Sequence, residues 1–206
     1  MIDAITYTEM LKHIRTNEFV EDTIGVLITR PDLNTGNSIL KSLNYFHHLT
    51  GNNINFYLPG YGAYWSSDRY PDMNNVVCLN GVDWSFSYKA FVEFVATLED
   101  VSKWKYSGES ELLLIPYHDE MLDFSKVVVF HLDEMLNDGT ISSVSNFITE
   151  LSRCVKRDNS ADSITTRGVV KCVTKAVTEE IIDNIPRYIS KPLCRGKHYL
   201  CKDFSL

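Results

Sequence analysis

Apolar residues recur along the chain in two periods, one helical and one strand-like, and their order predicts the elements. Thr6 and Glu9 have capping-box spacing, and Met10, Leu11 and Ile14 share a face, which predicts a helix from about Tyr7 to Asn17. The run Thr23-Ile-Gly-Val-Leu-Ile-Thr29 is rich in β-branched residues and reads as a buried strand that Pro31 ends. After a polar loop, Asp32 to Gly36, either Asn37 or Ser38 can cap a helix that carries Ile39, Leu43 and Phe46 and stops at Gly51. Asn53 to Leu58 reads as the next strand. Strand, helix and strand at this distance form a βαβ unit, whose strands are parallel and whose crossover is right-handed.

The stretch from Pro59 to Asn75 is rich in Gly, Pro, Ser and Asp. It is longer than most structureless connections, so it is either functional or partly ordered. Val76 to Leu79 has the character of a short strand. Phe91, Phe94, Val95, Leu98 and Val101 then mark one face of a helix from about Ser87 to Trp104. Glu111 to Pro116 and Lys126 to Leu132 are strands built on Leu-Leu-Leu-Ile and Val-Val-Val-Phe. Only Tyr117 to Ser125 separates them, which is short for a parallel crossover. An antiparallel hairpin is expected, with a single helical turn across the edge as the alternative. Val144, Phe147, Ile148 and Leu151 predict a helix over Ile141 to Val155. A polar linker, Lys156 to Thr166, leads to a last helix, Arg167 to Asn184. The tail from Arg187 to Leu206 has no clear period.

This order predicts an α/β fold over residues 1–206 as one domain: an N-terminal helix (1–20), an α/β core (21–158) and a C-terminal helix and tail (167–206). The expected sheet is open and mostly parallel, with an antiparallel edge hairpin, helices on both faces and extra helices at both termini. Thioredoxin-like and flavodoxin-like or TIR-like layouts all fit that order.

Composition narrows the function classes. The chain has 206 residues, 44% of them hydrophobic, enough for a sizeable core. Its formal net charge of -7 argues against a dedicated nucleic-acid binder, which needs clustered Lys and Arg. No apolar run is long enough to span a membrane, and the N-terminus lacks a signal-peptide layout. The Cys count of 5 is odd in a chain of this size, so a disulfide framework is not expected and a reducing cytoplasm is. No Cys-x-x-Cys is present, which disfavours thioredoxin-type redox chemistry. Glycine-rich phosphate-binding spacings are also missing, so no cofactor is expected.

In open α/β sheets ligands bind beyond the carboxyl ends of the parallel strands. The residues that follow the strands are Arg30, Asp32, Asn34, Thr35, Gly36 and Asn37; Tyr57, Gly60, Tyr61, Tyr64 and Trp65; Tyr117, His118 and Asp119; and His131, Asp133 and Glu134. If the last two strands are antiparallel, only one of those last two groups shares the rim. Asp32 to Ser38 opens a helix, where free N–H groups favour an anion, although a capped turn explains the same residues. Tyr57-Leu-Pro-Gly-Tyr-Gly-Ala-Tyr-Trp65 offers aromatic rings for stacking on a base, or else a cover for the end of the core. Glu109, after Gly108, and Glu111 share a face if both are extended. A carboxylate beside an aromatic rim suits acid, base or nucleophile chemistry. His47 and His48 point to different faces and suit a helix C-terminus. Cys194, His198 and Cys201 would need a fourth ligand, such as Cys172, to hold zinc, and no metal site is expected.

Val127 to Asp133, followed by Asn137-Asp-Gly-Thr140 and a helix, resembles the strand–Asp-Gly-Thr–helix segment of the nucleoside deoxyribosyltransferases. The resemblance implies a nucleotide-like ligand. That family's nucleophilic Glu region has no clear counterpart, although Glu150 lies in the following helix, and the start of the chain lacks the family's opening motif.

These residues together predict a nucleotide-type small-molecule binding domain whose carboxylates suit cleavage of an N-glycosidic bond. Tyr57 lines the site, Tyr61 and Trp65 stack on the ring, and Asp32, Thr35 and Asn37 hold ribose or phosphate. Glu109 stabilises an oxocarbenium-like centre or activates water. The alternative is a non-catalytic interaction module that binds a protein partner through loop 57–65.

Overall fold

The computed structural model describes residues 2–4, 6–16, 23–50, 54–65, 68–118, 120–149, 151 and 199–206. The expected helix 167–184, the linker before it, Glu150, Cys172, Cys194 and His198 lie outside the described residues, as do the side chains of His47, His48 and Cys201.

A main sheet is built from β1 (Ile2–Ala4), β2 (Thr23–Ile28), β3 (Phe56–Pro59), β7 (Glu111–His118), β8 (Met121–Leu122), β9 (Val127–His131) and β10 (Tyr199–Lys202). Its strand order is β1-β3-β2-β7-β9-β10, with β8 paired to β7. A smaller antiparallel sheet holds β4 (Tyr61–Ala63), β6 (Val82–Phe86) and β5 (Asn74–Leu79) in that order. The helices are α1 (Tyr7–Thr16), α2 (Asn34–Thr50), α3 (Tyr88–Asp100), α4 (Leu132–Asn137) and a segment at 144–149.

The capping box at the start of α1 forms as expected, with the Glu9 N–H donating to Thr6 Oγ1 at 3.1 Å and the Thr6 hydroxyl donating to Glu9 Oε2 at 3.2 Å. Strand β2 is buried at every residue, and β7 at every residue but the last. Continuous apolar runs of this kind belong to strands covered on both faces. The β2–α2–β3 unit is present, and β2 and β3 pair in parallel.

The expectation of a mostly parallel sheet is corrected. Among the described residues of this sheet only the β1–β3 and β3–β2 pairs are parallel, whereas β2–β7, β7–β9 and β9–β10 are antiparallel. The reason lies in the path after α3. Helix α3 does return the chain to the end of the sheet where a strand parallel to β2 would start: Val101, just after it, borders the same cavity as His118 at the far end of β7, beside the start of β2. Residues 101–110 then carry the chain back along the sheet, and β7 enters from the opposite end. The β7–β9 hairpin is antiparallel as expected, and a 3-10 turn, Phe124–Lys126, sits inside its connection.

Five strands, β1, β4, β6, β8 and β10, are not among those expected, whereas β5 covers the short strand expected at Val76 to Leu79. The β5–β6 hairpin turns on Asn80-Gly81, where both residues have positive φ (51° and 79°), as a type I′ turn requires. The edge strands β1 and β10 are short, and their character depends on the neighbours that they pair with.

Candidate functional site

Because β7 runs antiparallel to β2 and β9, the end of β2, the end of β9 and the start of β7 meet at one rim of the main sheet. Ile28 pairs with Glu111, and Glu111 pairs with His131. The groups after β2 and β9 therefore converge, together with residues 109–111, while Tyr117 and His118 lie at the opposite end.

The centre of the rim is Asp133, in the first turn of α4. Its Oδ2 accepts from the Ser110 N–H at 2.6 Å, and its Oδ1 accepts from the Thr35 hydroxyl in a short hydrogen bond. The Thr29 and Ser110 hydroxyls lie 2.8 Å apart, and the Leu132 N–H donates to the Ser110 carbonyl at 2.9 Å. Asp133 thus ties the start of α2 to the starts of β7 and α4. Thr29 and Ser110 are 0% exposed and Thr35 only 2%, so these partners are withdrawn from water, while Asp133 itself is half-buried.

Next to it lies a buried carboxylate. Glu111 is 1% exposed and accepts from the Trp104 indole N–H at 3.1 Å, while its other oxygen is 3.2 Å from His131 Nδ1. The hydrogen bond that His131 donates to Glu111 raises the His131 pKa above the ordinary histidine value against the opposing effect of burial, and the charges of Glu134 and Glu109 also raise it. Glu111 and Glu109 do not share a face. Glu111 turns into the core, while Glu109 stays exposed, after Gly108 with φ 93°.

A cavity of about 400 Å³ opens beside this network, lined by Leu33, Asn34, Thr35, Glu109, Asp133, Leu136 and Asn137. The first turn of α2 forms one wall and the end of α4 another. Carboxylates, amides and a hydroxyl converge between two leucines, which suits a small molecule with an apolar body and several hydroxyls. The Asp133 carboxylate already faces the start of α2. The position that was expected to attract an anion is therefore compensated by the protein's own charge.

Of the anticipated site residues, Thr35 and Glu109 line this cavity. Asp32 does not line it; it is exposed and 3.3 Å from Arg30 in an ion pair. Asn37 is exposed, one helical turn after Leu33, whose carbonyl accepts its N–H at 3.0 Å.

The aromatic segment is arranged differently from the expectation. Tyr57 is 1% exposed in the middle of β3, and its hydroxyl is 3.0 Å from His13 Nδ1. Tyr61 is 0% exposed and packs on Phe86, with ring centres 4.7 Å apart. Trp65 folds over Gly62, where any side chain would overlap its indole, and packs against Tyr70. Only Tyr64, 89% exposed and at φ 60°, displays its ring. None of these four aromatics lines the cavity that holds Glu109. The rings are covered because 56–63 is paired strand on both sides of Gly60, so alternate side chains face the two sheets.

Ser110, Thr29 and Trp104 were not anticipated. The signal for them was the antiparallel entry of β7, which places the residues before Glu111 at the rim. The Asn137-Asp-Gly-Thr140 motif is a helix-ending turn in which Asp138 Oδ1 accepts from the Thr140 N–H and hydroxyl at 3.1 and 2.6 Å, while Asn137 reaches the cavity. No protein-family model, curated protein or solved structure matches the chain. Among the described residues no helix is long and apolar enough to cross a membrane, and no group of His, Cys, Asp and Glu is arranged to hold a metal ion.

Proposed function

We propose that the rim cavity binds a small hydroxylated molecule of nucleoside type and that Glu109 assists cleavage of its N-glycosidic bond. The observation that carries this reading is the convergence of Glu109, Asp133, Asn34 and Asn137 on one cavity between Leu33 and Leu136. Carboxylates and amides accept and donate to sugar hydroxyls, and the leucines supply apolar contact for a base. This replaces the aromatic stacking expected of Tyr61 and Trp65. Asp133 holds its geometry through Thr35 and Ser110, so it orients the ligand. Glu109 is exposed at the mouth, where it can stabilise positive charge that develops at the anomeric carbon or activate a water. The interaction-module alternative retains one displayed ring, that of Tyr64.

The test is to incubate the full chain with a panel of nucleosides and with NAD and to look for free base by chromatography. Release of base is expected from at least one substrate. Glu109→Gln is expected to lower turnover by about a hundredfold or more while binding persists, because the lost charge acts mainly in the transition state. Base release that is unchanged in Glu109→Gln would remove Glu109 from the chemistry.

A further inference from the structure

The charges of the rim cavity have one sign. Among the described residues its lining holds the carboxylates of Glu109 and Asp133 and no lysine, arginine or histidine. Neither carboxylate is answered by a cation there. Asp133 accepts from the Ser110 N–H and the Thr35 hydroxyl, both neutral donors, and Glu109 enters no ion pair among the described residues. The basic side chains at the ends of β2 and β9 are engaged elsewhere. Arg30 is 3.3 Å from Asp32, and His131 is 3.2 Å from Glu111. The start of α2 faces Asp133 and offsets part of its charge, which leaves Glu109 as the uncompensated group at the mouth.

A second feature of the lining bears on the leaving group. A neutral purine or pyrimidine departs readily only when a proton reaches its ring as the glycosidic bond breaks. Asn34, Asn137, Leu33 and Leu136 have no proton to transfer, and the Thr35 hydroxyl is committed to Asp133. Glu109 has to be a carboxylate to stabilise the anomeric carbon. The lining thus supplies negative charge and no separate acid.

We propose that the cavity selects nucleosides whose base is already a cation, of the pyridinium ribonucleoside class, over neutral nucleosides and over nucleoside phosphates. This rests on the reading of the cavity as a nucleoside site and adds the charge of the substrate. Both features of the lining suit that class. Two carboxylates attract a cation and repel a phosphate. A pyridinium base also needs no proton to leave. Its C1′–N bond breaks with the electron pair going to the ring nitrogen, and the ring departs as a neutral pyridine. The positive charge passes to C1′ and the sugar ring oxygen, where Glu109 stabilises it. Water then adds to C1′ and gives up a proton to Glu109, from which it passes to solvent.

The experiment is calorimetric titration of the full chain and of Glu109→Gln with nicotinamide riboside, its neutral 1,4-dihydro form, nicotinamide mononucleotide and adenosine. The two riboside forms share the sugar and the carboxamide and differ in ring charge. The cationic form is expected to bind the wild type about tenfold more tightly than the dihydro form, and the mononucleotide more weakly than the riboside. In Glu109→Gln the cation's advantage is expected to fall to about threefold or less, with the dihydro form and adenosine binding as they do to the wild type. Glu109 is exposed, so an unchanged melting temperature is expected and checks that the variant is folded. Equal affinity for the two riboside forms, a ratio that survives in Glu109→Gln, or tighter binding of the mononucleotide would overturn the charge inference. Adenosine that binds in any of those cases keeps the cavity reading, whereas a wild type that binds no nucleoside overturns both.

Discussion

Gly36→Ala is expected to destabilise the protein by about 3 kcal/mol, the largest loss of any single change at the rim. Gly36 lies in the first turn of α2 and touches the backbone of the strand end before it. A Cβ there would overlap the Arg30 carbonyl oxygen, and it would sit 2.8 Å from the Arg30 carbonyl carbon and 3.0 Å from Thr29 Oγ1. Neither neighbour can yield cheaply. The Arg30 carbonyl accepts from the Leu33 N–H at 3.2 Å, and the Thr29 hydroxyl is held by Ser110. The overlap is with backbone, so rotamer changes cannot relieve it. Gly139→Ala provides the contrast: a Cβ there meets nothing within 4 Å, and only its φ of 73° opposes the substitution. That change is expected to cost about 1 kcal/mol. Urea unfolding of the two variants measures both numbers, and equal losses would show that the contact between β2 and α2 is looser than described.

Asp133→Asn is expected to cost about 2 kcal/mol of stability and to weaken ligand binding by about tenfold. The carboxylate accepts from the Ser110 N–H and the Thr35 hydroxyl, one on each oxygen. Each oxygen keeps a second lone pair for a ligand hydroxyl. An asparagine amide can accept on one side only, so its NH₂ would face a donor, either Ser110 or Thr35. Unfolding and titration measured on the same preparation separate the two effects. Unchanged stability would mean that the network carries little weight, whereas lost stability with unchanged binding would place the ligand elsewhere.

Much of the framework could be read from the sequence because strong periodicity marks buried elements. Strand β2, helix α2, helix α3 and the β7–β9 hairpin all carry dense apolar runs, and they were located within a few residues. The sheet's mixed direction could not be read in this way. Strand direction depends on residues 101–110, whose extended path is set by tertiary contacts such as Trp104 on Glu111 and Lys103 N–H on the Phe204 carbonyl. The β5–β6 hairpin was legible in principle. Asn80-Gly81 is a strong turn signal, but the half-exposed strands on either side of it carry little hydrophobic pattern.

The site followed the same logic. The residues after β2 and β9 converge as the strand-end rule suggests, and Thr35, Glu109 and Asp133 meet there. Choosing Glu109 over Glu111 on the grounds of Gly108 separated an exposed carboxylate from a buried one, but the sequence had no means of showing that Trp104 and His131 enclose Glu111. The aromatic segment misled because tyrosine density marks covered sheet edges as readily as ligand grooves. Tyr57 and Tyr61 bury their rings, and what remains of them for chemistry is the hydroxyl.

Amide chemical-shift mapping with a titrated nucleoside tests the central claim most directly. The account predicts shifts confined to residues 33–36, 109–110, 133 and 137, with Tyr64 and Trp65 unmoved. Shifts centred on residues 57–65, or none at millimolar nucleoside, would contradict it.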